Sequence, residues 1–474
     1  MNRYAKFATA VVVAVLVVAL PAFAQRGSAD FSKLVALGDS YGAGVFSGSL
    51  NERHQVWSWP AVIARQVGYT TCQPNAVAAD PCFAQPLVTF PGIGPELQLV
   101  NLTPTIAPAA GSGVPVMTTF GRAYNNLAIP GATVGALLAL TGAEPPTPGE
   151  PTAVSMARFI LRGRGTAVAQ ALEQHPTFIV MWIGGNDALS TLFSGTPATL
   201  TPAADFKARY AAVLSALVAG APDAGMVVGN IPTQPLPYML LISRFIVNPA
   251  TGQPIPGPDG NPIPLFGDLG DGTVGPLPAG TFVLLHARTN LATGFGLPNV
   301  PPFNALPNAG KPLPNSDTIT PTEFATIVTR VNEYNAAIQA EASARSIPVA
   351  DIKGLFDRVY KPGGLHVGPV TITPAPVTGG FFGFDFFHLT DLGYLLFGDE
   401  YIKTINASYD TEIPLAGISQ LYANNGAFFP ETTNGQLVTN ADRLVVTEDA
   451  ITQIRSMWAQ PTMRKMHKMR VGRH

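Results

Sequence analysis

Short apolar runs closed by turn residues alternate along this chain with longer stretches of helical periodicity. Leu34-Val35-Ala36-Leu37 ends abruptly at Gly38-Asp39-Ser40-Tyr41-Gly42. A continuous apolar run bounded by such residues predicts a strand buried on both faces. Tyr124 to Thr133, broken by Pro130-Gly131, predicts a second strand ending in a turn, with a helix near 133–141. Thr177 to Ile183 predicts a third, closed by Gly184-Gly185-Asn186-Asp187, and runs at 226–231 and 347–351 predict two more. Between them, helical patterns cover 57–68, 157–174, 204–219, 322–345 and 391–406. Pro60 suits the start of the first helix and Gly68 its end. Strands alternating with helices predict an α/β fold with a central parallel sheet and right-handed crossovers.

Two segments interrupt this rhythm. Residues 69–116 are Pro-rich and read as a long loop or small insertion. Residues 233–315 include Gly252 to Pro262, which cannot be regular structure, around a β-like centre at Thr281 to His286. This Pro/Gly-rich stretch reads as an insertion covering one face of the sheet, with ends that are part of it or plain linkers. Residues 407–474 are a weakly patterned C-terminal extension. Its last residues hold Arg464, Lys465, Lys468, Arg470 and Arg473, a basic tail that reads as a solvated end or as a peripheral contact for an anionic surface.

The first 24 residues change the picture of where the chain works. Arg3 and Lys6 precede an apolar run from Phe7 to about Leu20, and Ala22-Phe23-Ala24 fits a cleavage site. This is the pattern of a secretory signal peptide, cut after about Ala24. The run is short for a membrane span. The expected organisation is therefore a signal peptide at 1–24, one main domain at 25–406 and the extension at 407–474, in a secreted or periplasmic protein. Charge argues against a nucleic-acid partner: 28 Lys and Arg stand against 30 Asp and Glu, a net of −2, which gives no phosphate-binding field. Glycine and proline are abundant, at 47 and 45, yet 47% of residues are hydrophobic, so the chain is globular and the excess belongs in loops. The two cysteines, Cys72 and Cys82, are expected to pair as a disulfide in an oxidising compartment, stapling an exposed loop.

The candidate chemistry starts at Ser40, which would leave the carboxyl end of the first strand, where ligands of open α/β sheets bind. Alone it is a turn residue as readily as a nucleophile. The segment lacks Gly-Lys-Ser/Thr and GxGxxG spacing, so it is no phosphate loop, but it matches G-x-S-x-G, the elbow of α/β-hydrolases. Far along the chain, Phe384-Asp385-Phe386-Phe387-His388 places a carboxylate three residues before a histidine. That is what a general base needs to fix its tautomer and offset its charge, although taken alone the spacing fits a surface salt bridge or a metal site nearly as well. His366 is a minor rival base and Asp351 a rival acid. Asp187 reads as a helix cap. Ser40, Gly131, Asn186 and the Asp385–His388 pair would all fall at one carboxyl rim, the last pair after the final strand.

In this combination the chain resembles the GDSL or SGNH serine hydrolases, of the secreted esterase and lipase type. The blocks stand as Gly38-Asp39-Ser40, Gly131 in Ile129-Pro130-Gly131-Ala132, Asn186 in Gly184-Gly185-Asn186-Asp187, and Asp385-x-x-His388. Trp59-Pro60-Ala61 and Asn332-Glu333-Tyr334-Asn335 add to the likeness. The serine after the first strand and the acid three before the histidine fit this family, not an α/β-hydrolase. The resemblance implies a three-layer, flavodoxin-like SGNH fold and a two-step cleavage of carboxylic esters. Ser40 would be nucleophile, His388 base and Asp385 its orienter. The Ser40 and Gly131 N–H groups and the Asn186 amide would form the oxyanion hole, with no metal or cofactor and a small-molecule or lipid ester as substrate. Acyl transfer to an alcohol, carbohydrate O-deacetylation and a non-catalytic binding role remain as alternatives. The chain departs from the family in having Leu389-Thr390 after the histidine, where a proline is frequent, and in the length of the 233–315 insertion.

Overall fold

A computed structural model describes residues 25–457, apart from 74, 78–79, 102–104, 249–250, 369, 425 and 428–444. The segment read as a signal peptide and the basic tail lie outside the described residues. The strands that concern the site are β1 (Leu34–Gly38), β2 (Leu97–Asn101), β3 (Thr105–Pro108), β4 (Phe178–Trp182), β5 (Gly225–Gly229), β6 (Val349–Ala350) and β7 (Val445–Val446). Four of them form the central sheet in the order β1-β4-β5-β6, all parallel. The helices used below are α1 (Ser40–Ala43), α2 (Trp59–Gln66), α3 (Thr152–Leu161), α4 (Ala167–Glu173), α5 (Ala203–Gly220), α6 (Pro321–Ser343), α7 (Ile352–Val359), α8 (Asp391–Tyr409) and α9 (Glu448–Ser456).

Every residue of β1, β4 and β5 is buried, as their unbroken apolar runs require. The two-residue period of a strand sends alternate side chains to opposite faces. Val35, Leu37, Ile179 and Met181 pack with Leu214 of α5 and Ile338 of α6. Leu34, Ala36, Val180 and Trp182 pack with Val62 of α2 and Phe397 of α8. The molecule is thus a parallel sheet between two helical layers. Each fully buried aliphatic side chain contributes roughly 1.5–3 kcal/mol of transfer free energy, so the sheet is a stiff base for the loops at its carboxyl edge. α6 starts as its sequence suggests. Thr320 and Glu323 exchange hydrogen bonds in a capping box, with Pro321 in the first turn.

Several expectations need correction. The helical pattern at 157–174 is divided into α3 and α4, because Arg162, Gly163 and Gly165 all adopt positive φ and Thr166 then caps the new helix. The second predicted strand follows the outer edge of β1 through Ala36 N–H to Asn125 O (2.8 Å) and Leu127 N–H to Ala36 O (2.9 Å). It stops short of a regular strand, making one isolated parallel bridge, Ala36 to Asn126. The 69–116 stretch is more than loop, since it holds the antiparallel pair β2–β3. The Cys72–Cys82 disulfide is present and closes an exposed loop, with Gln73, Asn75, Val77 and Pro81 at the surface, while the two cysteines themselves are 2% and 7% exposed and belong to a core cluster. The 233–315 segment builds a small core of its own around Ile246, Leu265, Leu277 and Leu313. Its beginning, Tyr238 and Met239, joins Phe384, Phe386 and Phe387 in a cluster. It therefore stands at the carboxyl rim, since both faces of the sheet are already taken by helices. The C-terminal extension, read as weakly patterned, supplies β7, which pairs with β3 in parallel, and the amphipathic helix α9. Among the described residues no helix is long and apolar enough to cross a membrane.

Candidate active site

Ser40 is the first residue of α1, directly after β1. Asp39 caps this turn by accepting the Tyr41 N–H on Oδ1 at 3.1 Å. The Tyr41 ring stacks on Trp182 from β4, with centroids 5.1 Å apart, and its hydroxyl donates to the Phe387 carbonyl. One aromatic residue thus ties the serine turn to the loop before His388.

That loop is irregular, lying between a hairpin at Leu365–Ile372 and α8. Asp385 and His388 come after β6, the final strand of the central sheet, with α7 and this hairpin between. Phe386 takes a left-handed φ of 67°, which folds the segment tightly enough for Asp385 to reach forward. Asp385 Oδ2 lies 2.6 Å from His388 Nδ1, while Oδ1 accepts the His388 N–H at 2.9 Å and the Phe387 N–H at 3.2 Å. From the other side, the Gly48 N–H donates to Oδ2 at 2.6 Å. Both residues are 0% exposed. Burial alone would raise the Asp385 carboxyl, but the charge and hydrogen bond of His388, with the backbone N–H groups of His388 and Phe387, hold it below the ordinary carboxylate range. Near Ser40, burial pushes the Asp39 carboxyl up to about 8.

Ser40, Gly131 and His388 line one cavity of about 180 Å³. Gly131 is required where it stands: its φ is +80°, and a Cβ would lie 3.1 Å from the Ala153 nitrogen. Asn186 does not line this cavity. It is buried behind it, its Nδ2 donating to Ala132 O at 2.9 Å, next to Gly131, with a longer 3.4 Å contact to Asp39 Oδ2. A second, apolar cavity of about 100 Å³ opens on the other side of Ser40, between Tyr41, Trp182, Leu192, Met239, Val331 and Phe356.

The rivals stand elsewhere. His366 sits exposed on its hairpin, 3.0 Å from the Thr371 hydroxyl. Asp351 caps α7 by accepting the Gly354 N–H at 2.9 Å and binds the Asn230 amide. Asp187 is not a helix cap: it accepts the Val134 N–H and the Thr201 hydroxyl, both at 2.9 Å, tying the Gly131 turn to the chain before α5. Sequence reasoning gave Tyr41 and Gly48 no role, although Tyr41 lay inside the quoted motif. Among the described residues no group of three or more His, Cys, Asp or Glu side chains is arranged to hold a metal ion.

A serine, a buried Asp–His pair and a glycine N–H at one cavity form an arrangement suited to acyl chemistry. Residues 34–245 match the family described as GDSL-like lipase/acylhydrolase. This stretch of the chain belongs to that family. The matched GDSL region includes Ser40, Gly131 and Asn186 and ends before Asp385 and His388, and it supports ester hydrolysis as the general chemistry. Among solved structures, an extracellular lipase from Streptomyces rimosus is 15% identical, with a TM-score of 0.30, covering 79% of this chain and 98% of its own. A phospholipase A1 from Streptomyces albidoflavus NA297 is 17% identical, with a TM-score of 0.29, covering 81% and 99%. No curated protein matches.

Proposed function

We propose that this GDSL protein is a serine hydrolase that cleaves carboxylic esters through an acyl-enzyme. The observation that carries the reading is the shared cavity of Ser40, Gly131 and His388 with Asp385 at 2.6 Å behind the imidazole. Ser40 Oγ attacks the ester carbonyl carbon as His388 accepts its proton, and Asp385 holds the ring and stabilises its charge. The negative oxygen is met by the Ser40 and Gly131 N–H groups, and by the Asn186 amide once its 3.4 Å contact to Asp39 is given up and the side chain turns towards the cavity. Collapse expels the alcohol, protonated by His388. Water then attacks the acyl-enzyme with His388 again as base, releasing the acid and restoring Ser40.

The apolar cavity beside Ser40 favours acyl chains longer than acetyl, so aliphatic or lipid esters are preferred over sugar acetates. We also read residues 1–24 as a secretion signal, which the Cys72–Cys82 disulfide supports. The test combines an ester series of increasing acyl length with labelling by an organophosphonate. Wild type is expected to hydrolyse medium-chain esters and to be labelled at Ser40, and Ser40→Ala to lose both while keeping its melting temperature. Turnover within tenfold of wild type in Ser40→Ala, or a label on another residue, rejects the assignment.

A further inference from the structure

The C-terminal segment lies far outside the matched family region, yet it reaches the cavity that holds Ser40 and His388. Ser456 and Met457, at the end of α9, line that cavity. The segment is fixed from several directions. β7 pairs with β3, and the Thr447 N–H donates to Ile106 O at 3.0 Å. Ala450, Ile451 and Ile454 bury one face of α9 in the same apolar cluster as Leu97, Ile106, Phe384 and Phe387. Gln453 Nε2 donates to Gly48 O at 3.2 Å and to the Pro95 carbonyl. On the far wall, the Thr152 hydroxyl donates to Ser456 O at 3.2 Å, at the start of α3, where Gly131 packs.

The contact at Gly48 is close. Its φ is +75°, and a Cβ there would lie 3.2 Å from Gln453 Nε2 and 3.4 Å from Met457 Sδ. The same residue's N–H bonds Asp385. α9 is therefore seated against the peptide that supports the acid of the Asp–His pair, and its last residues close the cavity from outside.

Chemistry distinguishes the two cavities that meet at Ser40. His388 must give its proton to the departing alcohol oxygen, so the alcohol part of the ester lies on the side of the imidazole. His388 lines the cavity bounded by Ser456 and Met457 and does not line the apolar one. The acyl chain is left to the apolar cavity. We propose that residues 445–457 are a built-in wall of the alcohol side, with Met457 the residue that limits the bulk of the leaving group. This rests on the ester-hydrolase reading above.

The test uses the full chain with Met457→Ala and Met457→Trp. One substrate series holds the acyl group at butanoate and varies the alcohol from methanol to cyclohexanol; the other holds methanol and lengthens the acyl chain. Met457→Ala is expected to raise kcat/KM for the cyclohexyl ester relative to the methyl ester by about tenfold, and Met457→Trp to lower it by a similar factor. The acyl-chain profile should stay within about twofold. A cyclohexyl-to-methyl ratio unchanged in both variants, in an active wild type, overturns this inference and leaves the ester-hydrolase reading standing. So does a shift confined to the acyl series. A wild type that hydrolyses none of these esters overturns both. Melting temperatures separate a change of selectivity from a loss of fold.

Discussion

Among the described histidines that a buried aspartate holds, His388 and His54 are built for opposite ends. His388 has its Nδ1 2.6 Å from Asp385, and its ring lines the cavity shared with Ser40 and Gly131. His54 has its Nδ1 3.0 Å from both oxygens of Asp391 and its Nε2 3.1 Å from Glu96, with the Phe46 ring stacked at 3.8 Å. Burial works against charge on His54, yet the Asp391 carboxylate, with Glu96, raises it to about 10. Both its nitrogens are claimed by carboxylates, so it is a fixed cation pinning the chain after Ser40 to the start of α8 and to the segment before β2. A buried Asp–His contact therefore does not identify a base; what the second nitrogen faces decides the role.

The largest effects expected follow from exchanging the two fates. His388→Ala should lower kcat on the order of 10⁴–10⁶-fold and cost less unfolding free energy than His54→Ala, because the Gly48, Phe387 and His388 N–H groups still meet the Asp385 carboxylate. His54→Ala should do the reverse. It leaves Asp391 and Glu96 buried without their cation, for a loss of about 3–5 kcal/mol, while the folded fraction keeps turnover within about tenfold. Ester hydrolysis alongside urea unfolding measures both. A His54→Ala protein that is inactive but as stable as wild type would erase the distinction.

The aspartates give a finer version of the contrast. Asp385→Asn should lower kcat by about 10⁴-fold, since an amide favours the wrong tautomer of His388. Asp391→Asn keeps one partner for His54 at Glu96 and should lower stability by about 1–3 kcal/mol with turnover close to wild type. Equal losses of activity in the two variants would mean that His54 also serves the reaction.

The sequence exposed one of these histidines and hid the other for a physical reason. Asp385 and His388 are joined by a tight local turn, so their relation is written as a spacing. The partners of His54 lie 337 and 42 residues away and meet it through the packing of α8 and the β2 approach, which no local pattern records. The Gly48 support of Asp385, also 337 residues away, was hidden in the same way. The unbroken apolar runs of β1, β4 and β5 were legible because both faces of a covered parallel sheet must be apolar. The segment from Val445 to Ser456 was not, because its apolar positions acquire meaning against the β2–β3 pair, itself concealed in Pro-rich sequence. The break between α3 and α4 was different: Gly163 and Gly165 advertised it, and the apolar periodicity on either side masked the signal.

The smallest effect is a slope, and it probes His54 without changing its neighbours. A base raised above its unfolded value of about 6.5 stabilises the fold fully below that pH and loses its contribution as pH rises through the folded value, here about 10. Four buried carboxyls tilt the curve the same way: Asp187, raised by burial to about 6, Asp399 to about 7 and Asp39 to about 8, whose share is spent by about pH 8, and Asp391, raised by burial beside His54 itself. Asp385 acts at the other end: held low, it stabilises above the ordinary carboxylate range and its contribution goes as acid protonates it. Between pH about 8 and 10 the decline in unfolding free energy should thus belong to the His54–Asp391 pair, at up to roughly 1.4 kcal/mol per pH unit for each proton the fold holds in excess. His54→Ala should flatten that interval and lessen the slope between about 6.5 and 8, leaving there the part that belongs to Asp39 and Asp399. The same slope in both proteins would mean that the imidazole between Asp391 and Glu96 is not held charged, and the contrast with His388 would have to be drawn from geometry alone.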